Sequence, residues 1–205
     1  MIVTAFYGAG ILIHMIRALI FDCFGVLYQG SRSYLYDIVP QARQAELIDL
    51  NHASDHGFIS YADYLAQVCE LSGRPSQELE KEFKKAHRRN DALVQAVKNF
   101  KSRYKIGLLS NVGPEVMERL FPASEQAELF DAVVLSCDVA SVKPHPEMYE
   151  KILEQLDVQP QEAIMIDDIA ENVAGARAVG MHGVQFVSTA QGLECVNEII
   201  ESRRS

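Results

Sequence analysis

The chain has 205 residues, of which 48% are hydrophobic and 23% charged, a balance typical of a globular protein with one substantial core. Its formal net charge of −9, without a basic stripe, argues against a nucleic-acid partner because phosphate backbones bind to cationic faces. The four cysteines fit no CxxC spacing, which argues against a zinc site or a disulfide framework and predicts reduced thiols in a cytoplasmic protein.

Residues 1–14, MIVTAFYGAGILIH, are an apolar N-terminal extension without Lys or Arg. The segment lacks the basic start of a secretory signal and is too short and too interrupted by glycine for a membrane span, so we expect no membrane partner. Because a strand pattern follows Met15, two interpretations stay open. Either the natural start is Met15, or the extension packs as an edge strand or an oligomer contact. The oligomeric state is left undetermined.

A short apolar run, Ala18–Phe21, leads into Asp22 and breaks at Gly25. Such a run predicts a strand buried on both faces, and open α/β sheets bind their ligands at the carboxyl ends of such strands. Burying the Asp22 carboxylate there is costly unless a cation meets it, which predicts a metal or a lysine nearby. Successive strand residues face opposite sides, so we expect Cys23 to pack into the sheet.

The segment from about Ser31 to Arg103 shows helical patterns and no strand pattern. Ser60 and Ser76 are predicted to cap two of its helices, and Gly73 to end the first of these two. The predicted helices are Gln41–His52, Tyr61–Leu71, Gln77–Arg89 and Asp91–Phe100. We therefore expect residues 30–90 to form a small helical cap inserted after the first strand. The core is then expected to comprise 15–29 and 91–205.

From Lys105 onwards, short apolar runs alternate with helical patterns. The runs predict strands at Ile106–Asn111, Ala132–Cys137, Ala163–Asp168 and Gly183–Val187. The helical patterns cover Pro114–Leu120, Pro146–Leu156, Glu171–Val179 and Leu193–Glu201. Repeated βα units of this length imply an α/β fold with a Rossmann-like, doubly wound parallel sheet.

Polar residues end three of the predicted strands, and a lysine follows a fourth. They are, in chain order, Asp22, Ser110, Asn111, Lys143, Asp167 and Asp168. Parallel strands bring such residues to the same edge of the sheet. Asp22 is hard to explain structurally because apolar residues flank it, but each of the others alone has an ordinary explanation, such as a helix N-cap or a surface lysine. Their convergence in this order favours a functional site.

The same residues lie in four motifs that resemble those of the haloacid dehalogenase-like (HAD) hydrolase superfamily. The motifs are FDCFGVL, LLSN, VKPHPEMY and MIDDIAENVAGARAVGM, and the resemblance extends from about Ile16 to the C-terminus. It points to the capped phosphatases of the glucose-1-phosphatase-like and dehalogenase-like subgroup. The resemblance implies that Asp22 is a nucleophile that forms an aspartyl-phosphate, and that the helical cap covers the site and selects the substrate.

The resemblance also implies a Mg²⁺ site, and hard cations of this kind prefer oxygen ligands. Asp22 and Asp168 would supply carboxylates, and the backbone carbonyl of Phe24 a third oxygen. Asp167 would hold a metal-bound water or support the other ligands.

The remaining motif residues are expected to act on the phosphoryl group. Lys143 would neutralise Asp22 and the phosphoryl oxygens, because phosphoryl transfer depends on positioning and charge neutralisation. Ser110 would donate a hydrogen bond to the substrate, and Asn111 would bind it or fix the turn. His145, beside the lysine, is expected to be a turn residue rather than a base.

One position departs from the family's pattern. Its phosphatases generally carry a second aspartate, a general acid, two residues after the nucleophile, where this chain has Phe24. A general acid contributes about 10²–10⁴-fold to a rate, so we expect a slow phosphatase, a good leaving group or another donor. Asp55 and His56, in a predicted cap loop, are candidate donors. Phe24→Asp is expected to raise activity unless another residue already serves as the acid.

Three functions therefore compete. The first is Mg²⁺-dependent hydrolysis of a small phosphorylated metabolite, such as a sugar phosphate. The second is a metal-independent 2-haloacid dehalogenase, for which an aromatic residue at Phe24 is suitable but the pair Asp167 and Asp168 would be poorly compensated. The third is a binding protein that has lost turnover. Magnesium dependence discriminates among them.

Overall fold

The computed structural model describes residues 14–30 and 33–203, and its centre is a five-stranded, fully parallel sheet. The strands of the described chain are β1 (Ala18–Phe21), β2 (Tyr28–Gln29), β3 (Arg88–Arg89), β4 (Lys105–Ser110), β5 (Ala132–Leu135), β6 (Ala163–Asp167) and β7 (His182–Gln185). The order in the main sheet is β5-β4-β1-β6-β7, which puts the first strand at its centre. Strands β2 and β3 form a separate antiparallel ribbon.

Helices connect the strands and cover both faces of the sheet. They are α1 (Ser33–Ile38), α2 (Gln44–Asp55), α3 (Tyr61–Ser72), α4 (Ser76–Ala86), α5 (Asp91–Lys101), α6 (Pro114–Leu120), α7 (Ala123–Leu129), α8 (Ser136–Val139), α9 (Pro146–Leu156), α10 (Ala170–Ala178) and α11 (Thr189–Ser202). The prediction of a doubly wound α/β fold is confirmed. No helix of the described residues is both long and apolar enough to cross a membrane.

The two faces of the sheet are separated by the alternation of side chains along each strand. Leu19 and Phe21 of β1 pack with buried residues of α5 and α11, whereas Ile20 packs with those of α9 and α10. Cys23 is fully buried in the first of these clusters, so the expectation that it packs into the sheet is confirmed. The double burial explains why the central strand is uniformly apolar.

Helices α1 to α4 lie between β2 and β3 in the chain, and they form a hydrophobic cluster of their own. Ser60 caps α3, where its hydroxyl oxygen accepts a hydrogen bond from the Asp63 amide, and Gly73 ends the helix with a left-handed φ of 69°. The Ser136 hydroxyl of the core donates a hydrogen bond to the carbonyl of Asp55, which ties the inserted helices to the sheet.

Several predicted boundaries were wrong. Arg88 and Arg89 form β3 instead of ending a helix, because they pair with β2 and the helix therefore stops at Ala86. Ser76 is the first residue of α4 and Pro75 occupies the N-cap position, so the predicted Ser76 cap is absent. Cys137 belongs to α8 and not to β5, because the chain turns after Leu135.

The remaining differences are additions and shifts at the ends of elements. Helices α1 and α7 were not predicted, and the bounds of the other core strands shift by one or two residues. The apolar extension 1–14 lies, apart from His14, outside the described residues, so both interpretations of it remain predictions.

Candidate active site

The carboxyl edge of the sheet holds three carboxylates, from Asp22, Asp167 and Asp168. Asp22 follows β1 and Asp167 ends β6, and the two strands are direct neighbours, joined there by the hydrogen bond from the Asp22 amide to the Ile166 carbonyl (2.9 Å). One oxygen from each carboxylate lies within 4.8 Å of one oxygen of both others. Residues from opposite ends of the core thus form one acidic cluster.

Lys143 reaches this cluster from the loop before α9. Its side chain is only 1% exposed, and its Nζ lies 2.8 Å from Asp22 Oδ1 and 2.6 Å from Asp167 Oδ2. Asn111 holds the loop in place: the Lys143 amide donates to Asn111 Oδ1 (2.8 Å), and Asn111 Nδ2 donates to the Lys143 carbonyl (3.1 Å). The predicted proximity of Lys143 to Asp22 is therefore observed, and Asn111 is bonded to the turn that presents the lysine.

Asn172 is a residue of the site that sequence reasoning missed. Its Nδ2 donates to both carboxylate oxygens of Asp167, at 3.1 Å each, and the Ile169 amide donates to Asp167 Oδ1 at 2.9 Å. Asp167 is thus held between Lys143 and the first turn of α10, with no exposed surface. The available signal was the short spacing between Asp167 and Asn172, which puts the amide in the first turn of the following helix.

Burial dominates the electrostatics of the cluster. It raises the pKa of Asp22 to about 7, against the opposing effect of Lys143 and of the hydrogen bond from the Cys23 amide. Burial by itself would lower the pKa of Lys143, but the carboxylates of Asp22 and Asp167 raise it above its ordinary value. The lysine is therefore a permanent cation at neutral pH.

The donor set fits a divalent metal ion. Three carboxylates and one ammonium leave two negative charges when all four groups are ionised. Asp168 Oδ1 is buried without a hydrogen-bond partner, and a buried unpaired carboxylate oxygen is costly. A cation such as Mg²⁺, which binds carboxylate and carbonyl oxygens, satisfies both the charge and the orphaned atom.

Gly25 lies in the loop that follows Asp22, between β1 and β2, and lets this loop approach Asp168 closely. It has a left-handed φ of 82°, and a Cβ there would lie 2.1 Å from Asp168 Oδ2. We expect Gly25→Ala to lower the free energy of unfolding by about 1–3 kcal/mol more than Gly73→Ala does. Gly73 has a similar φ of 69° but nothing within 4 Å of its would-be Cβ, so its variant carries the backbone strain alone. Equal losses in urea denaturation would mean that Asp168 moves aside freely.

A cavity of about 440 Å³ opens above the acidic cluster and extends under the helical insertion. Ser110, which is 1% exposed, lies at its base together with Asp22 and Lys143. The lining residues from the inserted segment include Tyr36, Asn51, Ser54, Asp55, Tyr61, Tyr64, Phe83 and His87. Asp167 is the one predicted site residue that does not line the cavity, and it contacts Lys143 from behind.

The residue two positions after Asp22 contacts a histidine. The Phe24 ring lies 5.0 Å from the ring of His87, centroid to centroid, and both rings line the cavity. Of the two proposed cap donors, Asp55 lines the cavity, whereas His56 stacks on the exposed Phe58 and is not among the described lining residues. His87 could not be found from the sequence because its helical pattern pointed to solvent.

Comparison with protein families gives a match over most of the chain. A model described as haloacid dehalogenase-like hydrolase matches residues 16–180. Among curated proteins, the pyrophosphatase PpaX of Bacillus cereus (strain B4264) is 34% identical over 103 residues, which are 50% of this chain and 48% of that protein. The chain thus spans about half the length of the curated relatives that it matches.

Solved structures share the fold. A predicted HAD-like hydrolase from Porphyromonas gingivalis superposes with a TM-score of 0.74 at 22% identity, covering 91% of this chain and 98% of that one. A HAD family enzyme from Bacteroides thetaiotaomicron, in complex with magnesium and inorganic phosphate, gives a TM-score of 0.71 at 20% identity, covering 85% and 96%. At these identities the similarity concerns the fold alone.

Proposed function

This chain belongs to the haloacid dehalogenase-like hydrolase family, and from that premise we propose that it is a Mg²⁺-dependent hydrolase of small phosphomonoesters. The observation that carries the proposal is the buried cluster of three carboxylates and one lysine beneath a cavity. Its two surplus negative charges and its orphaned Asp168 oxygen favour a metal-dependent reaction. The four free cysteines are in keeping with a cytoplasmic location.

In this proposal Asp22 attacks the phosphorus atom and forms an aspartyl-phosphate, which water then hydrolyses. Lys143, at 2.8 Å, orients the Asp22 carboxyl group and lowers its pKa against the larger effect of burial, and the charge of the lysine is secured by Asp167. Asp22, Asp168 and the backbone carbonyl of Phe24 would hold Mg²⁺, which supplies positive charge to the phosphoryl oxygens when bound. Asp167 supports the ligands from its bonds to Lys143 and Asn172.

Ser110 and Asn111 complete the proposed machinery at the end of β4. The Ser110 hydroxyl lies at the base of the cavity and donates a hydrogen bond to the phosphoryl group. Asn111 lines the same cavity, and its amide is bonded to the backbone of Lys143, so its contribution to substrate binding is through the lysine loop.

The alternative of a metal-independent 2-haloacid dehalogenase receives less support. In that reaction Asp22 displaces halide and no cation is needed. The charges of Asp22, Asp167 and Asp168 would then be met by Lys143 alone, which leaves the buried site with uncompensated charge. A binding protein without turnover is the third possibility, and it shares the donor set with the first.

The test is hydrolysis of p-nitrophenyl phosphate and of a panel of small sugar phosphates, with Mg²⁺ and after treatment with EDTA. Release of halide from 2-chloropropionate is measured in parallel. We expect hydrolysis that requires Mg²⁺, lost in EDTA and restored by Mg²⁺ but not by Na⁺. Halide release that is unaffected by EDTA would instead establish the dehalogenase. Thermal stabilisation by Mg²⁺ without any turnover would establish the binding protein.

A further inference from the structure

Aromatic rings form one wall of the cavity. The wall starts at the nucleophile loop, which is the loop between β1 and β2 that carries the proposed nucleophile Asp22. The Phe24 ring lies 5.0 Å from that of His87, which in turn lies 6.0 Å from that of Phe83. All three line the cavity, so they form a continuous aromatic wall from the loop up into the inserted helices. Tyr36, Tyr61 and Tyr64 add three more lining rings. A wall of this composition suits a flat, apolar ring in the substrate.

The first ring of the wall belongs to the residue two positions after Asp22 and lines the same cavity as Asp22. Phe24 sits between Asp22, the proposed nucleophile, and Gly25, whose would-be Cβ falls 2.1 Å from Asp168. A group attached to a phosphoryl group at Asp22 would lie in the cavity that the Phe24 ring lines. That ring is a hydrocarbon and has no proton to give to a departing oxygen.

The fold holds the wall in place through the ribbon of β2 and β3. The ribbon returns the chain from α4 to the nucleophile loop and sets His87 against Phe24. Gly30 allows this return, since a Cβ on it would lie 1.7 Å from the carbonyl oxygen of Ala86. The wall is thus part of the junction between the sheet and the inserted helices.

Among the described residues that line the cavity, aspartates outnumber the single lysine. Lys143 is the one lysine or arginine among the described lining residues, and it is engaged by Asp22 and Asp167. Asp55 adds a carboxylate to the part formed by the inserted helices. Arg119 packs over the Tyr61 ring at 4.1 Å and is not a lining residue. The described lining therefore offers no lysine or arginine other than Lys143 to a second anionic group on the substrate.

We propose that the preferred substrates are aryl phosphates, in which an aromatic ring is bonded directly to the ester oxygen; this inference rests on the phosphomonoesterase function proposed above. An Asp22 oxygen bonds to phosphorus, and the bond from phosphorus to the phenolic oxygen breaks with its electron pair on that oxygen. The phenolate departs without prior protonation and takes its proton from water. A second water hydrolyses the aspartyl-phosphate, which returns Asp22 and releases inorganic phosphate.

Two pairs of probes test the two parts of the proposal. Phenyl and benzyl phosphate carry the same ring but release a phenol or an alcohol, and we expect kcat/KM to favour phenyl phosphate by at least about 10²-fold. Phenylphosphonate and methylphosphonate differ in the ring, and neither can be hydrolysed. Both are measured as inhibitors of p-nitrophenyl phosphate hydrolysis. We expect phenylphosphonate to bind at least about tenfold more tightly than methylphosphonate.

Variants with matched chemistry then locate the effect. Phe24→Asp removes the first ring and adds a proton donor, so we expect the preference for phenyl over benzyl phosphate to fall at least about tenfold and phenylphosphonate to bind more weakly. Phe58→Asp introduces the same charge at a cap ring that is 73% exposed and does not line the cavity, and we expect it to leave both ratios unchanged. Phe24→Ala removes the ring and adds no carboxylate. We expect it to weaken the binding of phenylphosphonate and to leave the preference for phenyl over benzyl phosphate unchanged.

These ratios do not depend on how much of a variant is folded, because both members of a pair report on the same active molecules. The proposal would be overturned if the wild type hydrolysed benzyl phosphate with a kcat/KM within about threefold of that for phenyl phosphate. Equal binding of the two phosphonates would also overturn it. Either result with Mg²⁺-dependent turnover intact leaves the phosphomonoesterase function standing. Absence of turnover on p-nitrophenyl and phenyl phosphate would overturn both.

Discussion

Asp22→Asn is expected to lower the Mg²⁺-dependent turnover of p-nitrophenyl phosphate by at least about 10⁴-fold, because an amide cannot act as the nucleophile. The side chain keeps its shape, and its Oδ1 can still accept the hydrogen bond that the Cys23 amide donates at 2.7 Å. The variant should therefore remain folded. Asp157→Asn, at an exposed carboxylate 4.0 Å from Lys105, is the matched control and is expected to keep full activity.

The same substitution has a second, pH-dependent signature in metal-free protein. Burial raises the pKa of Asp22 to about 7 from an ordinary value of 3.8, so the folded state holds a proton that the unfolded state has released. The stability of the wild type therefore falls as the pH rises from about 4 to 7, at about 1.4 kcal/mol for each pKa unit of difference. The asparagine side chain of the variant does not titrate, so it lacks this contribution to the pH dependence.

We accordingly expect Asp22→Asn to be more stable than the wild type at pH 8 in EDTA, with a difference that shrinks towards pH 5. Thermal unfolding at several pH values measures it, and added Mg²⁺ is expected to narrow the gap by stabilising the wild type. A variant that is less stable than the wild type at pH 8, with normal secondary structure, would show that Lys143 outweighs the burial of Asp22.

Lys143→Met is expected to destabilise the protein by about 3–5 kcal/mol at pH 7 and to abolish turnover. The substitution leaves Asp22 and Asp167 as buried carboxylates without their common cation, and removing one partner of a buried ion pair costs about this much. Methionine preserves most of the length and the apolar part of the side chain, so the loss reports on charge. Urea denaturation of metal-free protein measures the change in the free energy of unfolding.

The pH dependence of this stability loss shows whether it comes from the lost charge or from lost packing. The raised pKa of Lys143 keeps the lysine charged throughout the neutral range, so the deficit of the methionine variant should be largest above about pH 7, where Asp22 is ionised in the wild type. It should shrink in acid, where the carboxylates bind protons. Lys151→Met removes a 44% exposed lysine of α9 that pairs with Glu154, and we expect a change within about 1 kcal/mol. A deficit that does not vary with pH would indicate lost packing.

The main elements of this protein could be predicted from periodicity because the physics behind them is local. The uniformly apolar strands follow from burial on both sheet faces, and Ser60 and Gly73 mark the ends of α3 through their own backbone and side-chain chemistry. The failure at Arg88–Arg89 lies where pairing with a distant segment decides, whereas those at Ser76 and Cys137 are shifts in where a helix begins. Tertiary pairing overrides local propensity at Arg88–Arg89.

The site was predictable in its residues and not in its contacts. Sequence order brought Asp22, Lys143 and the two adjacent aspartates to attention, because polar residues at the ends of apolar strands stand out. The only local signal for Asn172, which holds Asp167, was its short spacing from that residue, and nothing local distinguished His87, which contacts Phe24. Both are polar residues on helical patterns, where a solvated position is the ordinary outcome.

By itself, the sequence determined that this protein has a parallel α/β core with helices inserted after the first strand, and that polar residues gather at the strand ends. Apolar periodicity and the order of polar residues along the chain encode those properties directly. Only the tertiary structure decided that Lys143 bridges Asp22 and Asp167, that Asp168 retains an orphaned oxygen, and that aromatic rings wall the cavity. These depend on the strand order β5-β4-β1-β6-β7 and on the pairing of β2 with β3, which join residues far apart in the chain.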